Sequence, residues 1–229
     1  MVLLMVTALV QAAEYRKIPD WYYKIKSVKV QKKAFFDILR PLVEEENQKI
    51  LEERAFVKEV FQEMESKPII EDEKLVRLAQ IAKKYRIKDI YNESEYMMKV
   101  DSLPVSLVLA QAALESGWGK SRFARQANNL FGEWTWGKRG LIPKRRDPGK
   151  RHKIKIFDSL RDSIASYMLN LNRHRAYREF RVARYVAKKT RRSFSGLEAA
   201  TTMKRYSGIG RRYTRLVSSI IKRNRLHLD

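Results

Sequence analysis

The stretch Gln111-Ala112-Ala113-Leu114-Glu115-Ser116-Gly117-Trp118-Gly119 decides how this chain is read. It continues through Ser121, Phe123-Ala124 and Asn128-Asn129-Leu130-Phe131-Gly132. It sets one carboxylate, Glu115, at the end of an apolar helical segment. Pro104 suits the first turn of that helix, with Asp101 or Ser102 as candidate caps in front of it. Val105, Val108, Ala112 and Glu115 fall on one helical stripe, so Glu115 is expected to face the interior or a cleft. Gly117 and Gly119 supply the permissive backbone that ends the helix. Apolar neighbours such as Trp118 and the negative end of the helix dipole both favour the protonated carboxyl. A carboxylic acid that keeps its proton near neutral pH is what cleavage of a glycosidic bond requires at the leaving oxygen. Taken alone, the same glutamate reads first as a satisfied helix-end residue with no chemistry.

The surrounding residues carry more. The quoted string resembles the glucosaminidase family, the glycoside hydrolase family 73 enzymes that cleave bacterial peptidoglycan, and most closely the bacterial Bax branch of that superfamily. The resemblance continues through Phe157-Asp158-Ser159, Ser163-Ile164, Tyr167, Leu171-Asn172, Ala176-Tyr177 and Tyr206-Ser207, and reaches upstream to Ile18-Pro19-Asp20. It implies a mainly α (α+β) lysozyme-like catalytic domain with a small β-lobe, a glycan cleft, and a helical extension in front. It also implies that Glu115 is the general acid, with a partner carboxylate in the β-lobe. The candidates are Asp147, Asp158 and Glu133. Lys153 stands where a Bax-type chain is expected to carry an acidic residue. Trp118, Phe131, Trp134 and Tyr206 are candidate sugar-stacking platforms, and Asn129 a candidate hydrogen-bond partner. Trp134 and Trp136 read equally as β-lobe core. Tyr206 by itself reads as ordinary core, and the resemblance places it beside the acid.

At 229 residues the chain suits one catalytic domain and an extension. The expected division is a truncated signal segment over 1–13, a helical extension over 14–94 and the glucosaminidase domain over 95–229, with the β-lobe at about 132–157. Met1–Ala13 is apolar and ends in small residues, like the latter part of a secretory signal, and is too short to span a bilayer. That reading points to the periplasm or cell envelope. With no cysteine there is neither a disulfide nor a thiolate metal site. His152, His174 and His227 make no ligand pair, and no phosphate-cradling glycine loop is present, so no metal and no cofactor are expected. The expected state is a monomer.

Charge is lopsided. Residues 1–115 hold 19 basic and 19 acidic side chains, whereas residues 116–229 hold 30 and 7, the whole net charge of +23. Such a field favours a polyanion. Nucleic acid is one candidate, but no recognition motif accompanies the basic residues. Peptidoglycan carboxylates and other anionic wall polymers are polyanions too. The cluster Lys144, Arg145, Arg146, Lys150 and Arg151 reads as a solvated hairpin tip or as a wall contact. The rival readings of function are a catalytically silent glycan-binding module with the same fold and a basic nucleic-acid-binding protein.

Along the chain, residues 20–40 read as a basic, aromatic packing segment, and Pro41 as the opening of a helix carrying Leu42 to Met64 with a solvated acidic start at Glu44-Glu45-Glu46. A shorter helix is expected to turn Leu75, Leu78, Ala79, Ala82 and Tyr85 inward. After the motif, Lys153 to Phe157 alternates as a strand. Helical periodicity then resumes with Leu160, Ile164, Tyr167, Met168 and Leu171, Asp158 being a candidate cap. A last helix is expected to bury Tyr213, Leu216, Val217, Ile220 and Ile221.

Overall fold

The structure, a computed structural model, describes residues 16–143, 149 and 151–228. The signal-like segment 1–13, Asp147 and the tip residues Lys144, Arg145, Arg146 and Lys150 lie outside the described residues. The fold is mainly α, about 66% helical, with one two-stranded sheet among the described residues. The chain forms two compact units interleaved along the sequence. One takes residues up to 46, 105–167 and from 219 on; the other takes 47–104 and 168–218. Residues of the expected extension 14–94 therefore belong to both.

After the short helix α1 (Asp20–Tyr23), α2 runs from Val28 to Ser66 as one 39-residue helix. Pro41 lies inside it and does not open it. An interior proline lacks the N–H and crowds the preceding turn, a penalty of about 3 kcal/mol. Burial of Ile38, Leu39, Leu42 and Val43 around it offsets that cost. The acidic run Glu44 to Glu46 is accordingly mid-helix, where Glu45 pairs with Arg161.

In the second unit, α3 (Asp72–Tyr85) buries Leu78, Ile81, Ala82 and Tyr85. Its stripe is rotated from the expected one, for Ala79 is exposed and Ile81 is in the core. Helix α4 (Glu93–Lys99) follows, capped by Asn92, whose side chain accepts from the Glu95 N–H. Asp101 does not cap the next helix. It is buried at 1% exposure among Arg54, Arg184 and Lys188, within 3.6 Å of the first and 3.8 Å of the second. Arg184, which is also buried, donates to the carbonyls of Met98, Asp101 and Ser102 and to Asn172 Oδ1. Burial pulls its guanidinium down to about 10, against the pull of Asp101. A charge this deep survives because its donors are almost all matched.

Helix α5 (Val105–Ser116) belongs to the first unit and is buried on nearly every side from Ser106 to Ala113. A helix apolar all round is a core helix, so the single stripe read from the sequence understates it. Next come α6 (Arg122–Ala127) and an antiparallel pair, β1 (Trp134–Thr135) and β2 (Lys153–Ile154), in register Trp134 with Ile154 and Thr135 with Lys153. The strand is shorter than the alternation to Phe157 suggests, and a single bridge from Leu141 to Ile154 extends the pairing.

Helix α7 (Leu160–Arg173) buries Leu160, Ile164, Tyr167, Met168 and Leu171, as its periodicity predicts. Its cap is Ser159, whose hydroxyl accepts from the Asp162 N–H at 3.1 Å, and not Asp158, which pairs with Arg139. Helices α8 (Arg178–Lys189), α9 (Gly196–Thr201) and α10 (Arg211–Arg223) follow. In α10, Tyr213, Val217 and Ile221 are buried while Leu216 is exposed, a narrower stripe than expected.

Candidate active site

Glu115 stands on the last turn of α5, half-buried, one turn after Gln111 on the same helical face. Gln111 is fully buried and accepts a hydrogen bond from the Tyr167 hydroxyl. The Tyr167 ring stacks on Phe131 with centroids 3.8 Å apart and planes 9° from parallel. Phe131 is 4% exposed, its ring spent on Tyr167 and not offered to solvent as the expected sugar platform would be.

What stops α5 is a Schellman turn. The Trp118 N–H donates to the Ala113 carbonyl at 2.8 Å, with Gly117 left-handed between them. Ser116 tightens the turn: its hydroxyl donates to the Ala112 carbonyl at 2.6 Å and accepts from the Gly119 N–H at 2.7 Å. Trp118, at φ +59°, holds a backbone conformation that costs a non-glycine residue about 1–2 kcal/mol. Its surroundings account for that. The indole packs edge-on against Phe35 at 5.9 Å and Phe36 at 5.3 Å, with the Lys32 ammonium 4.7 Å from its centroid. Tyr22 and Tyr23 donate to the Trp118 and Gly119 carbonyls at 2.7 and 3.2 Å. At Gly119, φ +71°, a Cβ would sit 2.3 Å from the end of the Ile18 side chain, so any other residue must displace Ile18 and hold a left-handed backbone. The aromatic residues of the 20–40 segment thus brace the turn behind Glu115.

The Asn128-Asn129 pair shapes the next loop. Asn128 ends α6 in the left-handed region, and its amide reaches the Phe157 carbonyl at 3.1 Å. Asn129 is 1% exposed. Its side chain accepts from the Glu133 N–H at 2.9 Å and donates to the carbonyls of Glu133 and Lys155 at 2.9 and 2.8 Å. Both amide hydrogens are so committed that Asn129 positions Glu133 in place of the expected sugar contact. Ser163 holds the same loop by accepting from the Leu130 N–H at 3.1 Å.

Glu133 is half-buried, and its Oε2 accepts from Ser166 at 2.8 Å; that hydroxyl in turn accepts from the Lys155 ammonium at 3.0 Å. Lys155 itself lies 4.0 Å from Glu133. Sequence reasoning missed Ser166 and Lys155. Both sit among polar residues without a motif, and only folding brings them together. Asp158 is different: it is 73% exposed and paired with Arg139 at 2.9 Å. Lys153 donates to the Lys138 carbonyl at 2.9 Å.

Beside the strand pair, Trp134 and Trp136 are 55% and 74% exposed, so they are not β-lobe core. Trp134 stacks on His152 at 4.2 Å and meets Trp136 edge-on at 6.4 Å. His152, another residue missed from sequence, thus backs an exposed aromatic face. Glu115, Glu133, Asn129, Phe131, Trp118 and Trp134 all belong to the first unit. Tyr206 belongs to the second, stacked on Tyr213 at 5.2 Å and tilted toward Tyr177 at 5.9 Å. Among the described residues no group of three or more His, Asp or Glu side chains could hold a metal ion, and no helix is long and apolar enough to cross a membrane.

The chain belongs to the glucosaminidase family, and with it to a glycan-hydrolase-like fold. The family model, described as mannosyl-glycoprotein endo-beta-N-acetylglucosaminidase, matches residues 91–226. The chain is similar to Protein bax of Escherichia coli (strain K12), at 31% identity over 218 residues, spanning 93% of this chain and 76% of that protein. No solved structure shows a significant match.

Proposed function

We propose that the chain is a peptidoglycan hydrolase, an endo-β-N-acetylglucosaminidase of the cell envelope. It cleaves the β-1,4 bond between N-acetylglucosamine and N-acetylmuramic acid, on the N-acetylglucosaminyl side. The observation that carries this is Glu115, presented half-buried on the last turn of a core helix whose end is braced from behind. Glu115 donates its proton to the leaving oxygen as positive charge grows on the sugar ring. Glu133 is the favoured partner, because Asn129 and Ser166 hold it in place while Asp158 is exposed and paired with Arg139. In an inverting route Glu133 activates water; attack by the substrate acetamido oxygen would need no protein nucleophile. Trp134 and Trp136 offer exposed ring faces for sugar stacking.

The test is a peptidoglycan zymogram of wild type against Glu115→Gln, followed by borohydride reduction of the digest. Lysis lost on substitution, with label on N-acetylglucosamine, is the expected result. Label on muramic acid would reassign the bond. One observation favours a second reading, the catalytically silent glycan-binding module: Lys153 stands where an acid is expected and uses its ammonium on a backbone carbonyl. Retention on peptidoglycan without lysis by the wild type would establish it.

A further inference from the structure

A groove of about 550 Å³ lies in the first unit, lined by none of the residues to which a catalytic or sugar-binding role was assigned above. One wall is α2, which contributes Lys29, Lys33, Asp37 and Arg40 at helical spacing. The other is the end of α10 and the turn after it, with Arg223 and Arg225. Phe36 and Leu226, 5% and 4% exposed, form an apolar floor. Among the described residues, five cationic side chains and a single carboxylate line it, and that carboxylate, Asp37, pairs with Lys33 at 2.7 Å.

The lining is built, not frayed. Asn224 closes α10 by donating both its backbone and its side-chain N–H to the Ile220 carbonyl, at 3.1 and 2.8 Å. Arg225 follows in the left-handed region at φ +55°, its N–H on the Lys222 carbonyl at 3.1 Å. The turn therefore places two guanidinium groups across the groove from Lys29 and Lys33, and with Lys33 paired to Asp37 the described lining keeps an excess of positive charge. A ligand with several negative charges along an extended chain complements that excess, and guanidinium matches carboxylate geometry in two-point contacts.

We propose that this groove docks the carboxylate-bearing peptide stems of a peptidoglycan strand, outside the place where the glycan is cut. The inference rests on the reading under Proposed function, because a strand of that polymer repeats carboxylates along its length. The α2 wall lies outside the segment matched by the family model, which begins at residue 91.

The experiment measures binding of soluble glycan strands to full-length protein carrying Glu115→Gln, which prevents turnover. The comparison adds Lys29→Ser, Arg223→Ser and Arg225→Asn, asparagine being tolerant of the left-handed backbone there. Loss of three exposed charge contacts should weaken binding of stem-bearing strands by about tenfold at low salt, and leave stem-free strands whose muramic carboxyls are amidated unaffected. Strands whose stem carboxylates are amidated should bind the unaltered groove as weakly as stem-bearing strands bind the triple variant, an arm that does not depend on the variant's folding. Equal weakening on both strand types, or none on either, overturns the proposal. So does inorganic polyphosphate that outcompetes stem-bearing strands on the intact groove, which would assign a phosphate polymer. Failure here leaves cleavage by the wild-type enzyme intact, whereas failure of the functional reading abolishes cleavage of every strand.

Discussion

Removing the Asn129 side chain should loosen the loop that carries Glu133. Asn129→Ala deletes three hydrogen bonds, to the Glu133 N–H and to the Glu133 and Lys155 carbonyls. The Glu133 carbonyl still receives the Lys155 N–H at 2.9 Å, so it is not stranded. The Glu133 N–H and the Lys155 carbonyl lose the partner that Asn129 supplied. At about 1 kcal/mol per net bond, with a further penalty for each stranded buried group, the loss should be about 3 kcal/mol. Asn129→Asp separates bonding from space filling. It keeps the volume but turns an oxygen toward two carbonyl oxygens at a site that is 1% exposed. Asp should therefore be at least as damaging as Ala. Urea unfolding, read from midpoints at constant slope, measures both. Lysis should also fall at temperatures where the variants remain folded, because Glu133 is no longer held. If both variants stay within about 0.5 kcal/mol of wild type, the loop is not held this way and Asn129 is free to serve as a sugar contact.

Gly119→Ala places a Cβ 2.3 Å from Ile18 and 3.2 Å from Phe35 at φ +71°, and should cost about 2–4 kcal/mol in thermal or chemical unfolding. Adding Ile18→Ala should return part of that loss; strict additivity in the double-mutant cycle would show that the clash is not with Ile18. His174 is the third case. Burial first, and then the guanidinium groups of Arg86, Arg175, Arg181 and Arg173, hold its imidazole below the ordinary 6.5. Because the folded value is depressed, the contribution is present above about 6.5 and is lost as pH falls from there through the folded value. His174→Asn keeps an acceptor for the Ala176 N–H and removes the titration. The wild type should lose melting temperature relative to this variant as pH falls from 7 toward 5. A flat or opposite difference would remove His174 from the acid response.

Much of this was legible in the residues. The α5 segment with its glycine stop, the α7 stripe and the small sheet after Gly132 follow from local pattern, because each expresses a period or a turn preference that neighbours alone enforce. The motif also singled out Glu115, by residue type and position at a helix end. Other features were not legible. Pro41 looks like a helix start, yet tertiary burial on both sides carries one helix straight through it. Asp101 looks like a cap, yet it sits in a buried charge cluster whose partner Arg184 lies 83 residues away. Asn129 and Phe131 look like ligands for a sugar because polar and aromatic residues in a motif suggest contact; burial turned both into supports. The proposal of Glu133 over Asp158 likewise rests on Ser166 and Asn129. Local sequence determined which segments form helices and which residue could act as an acid, since those depend on a few neighbouring side chains. Only the tertiary structure decided which polar groups face solvent and which hold one another, since hydrogen bonds between distant residues obey no spacing along the chain.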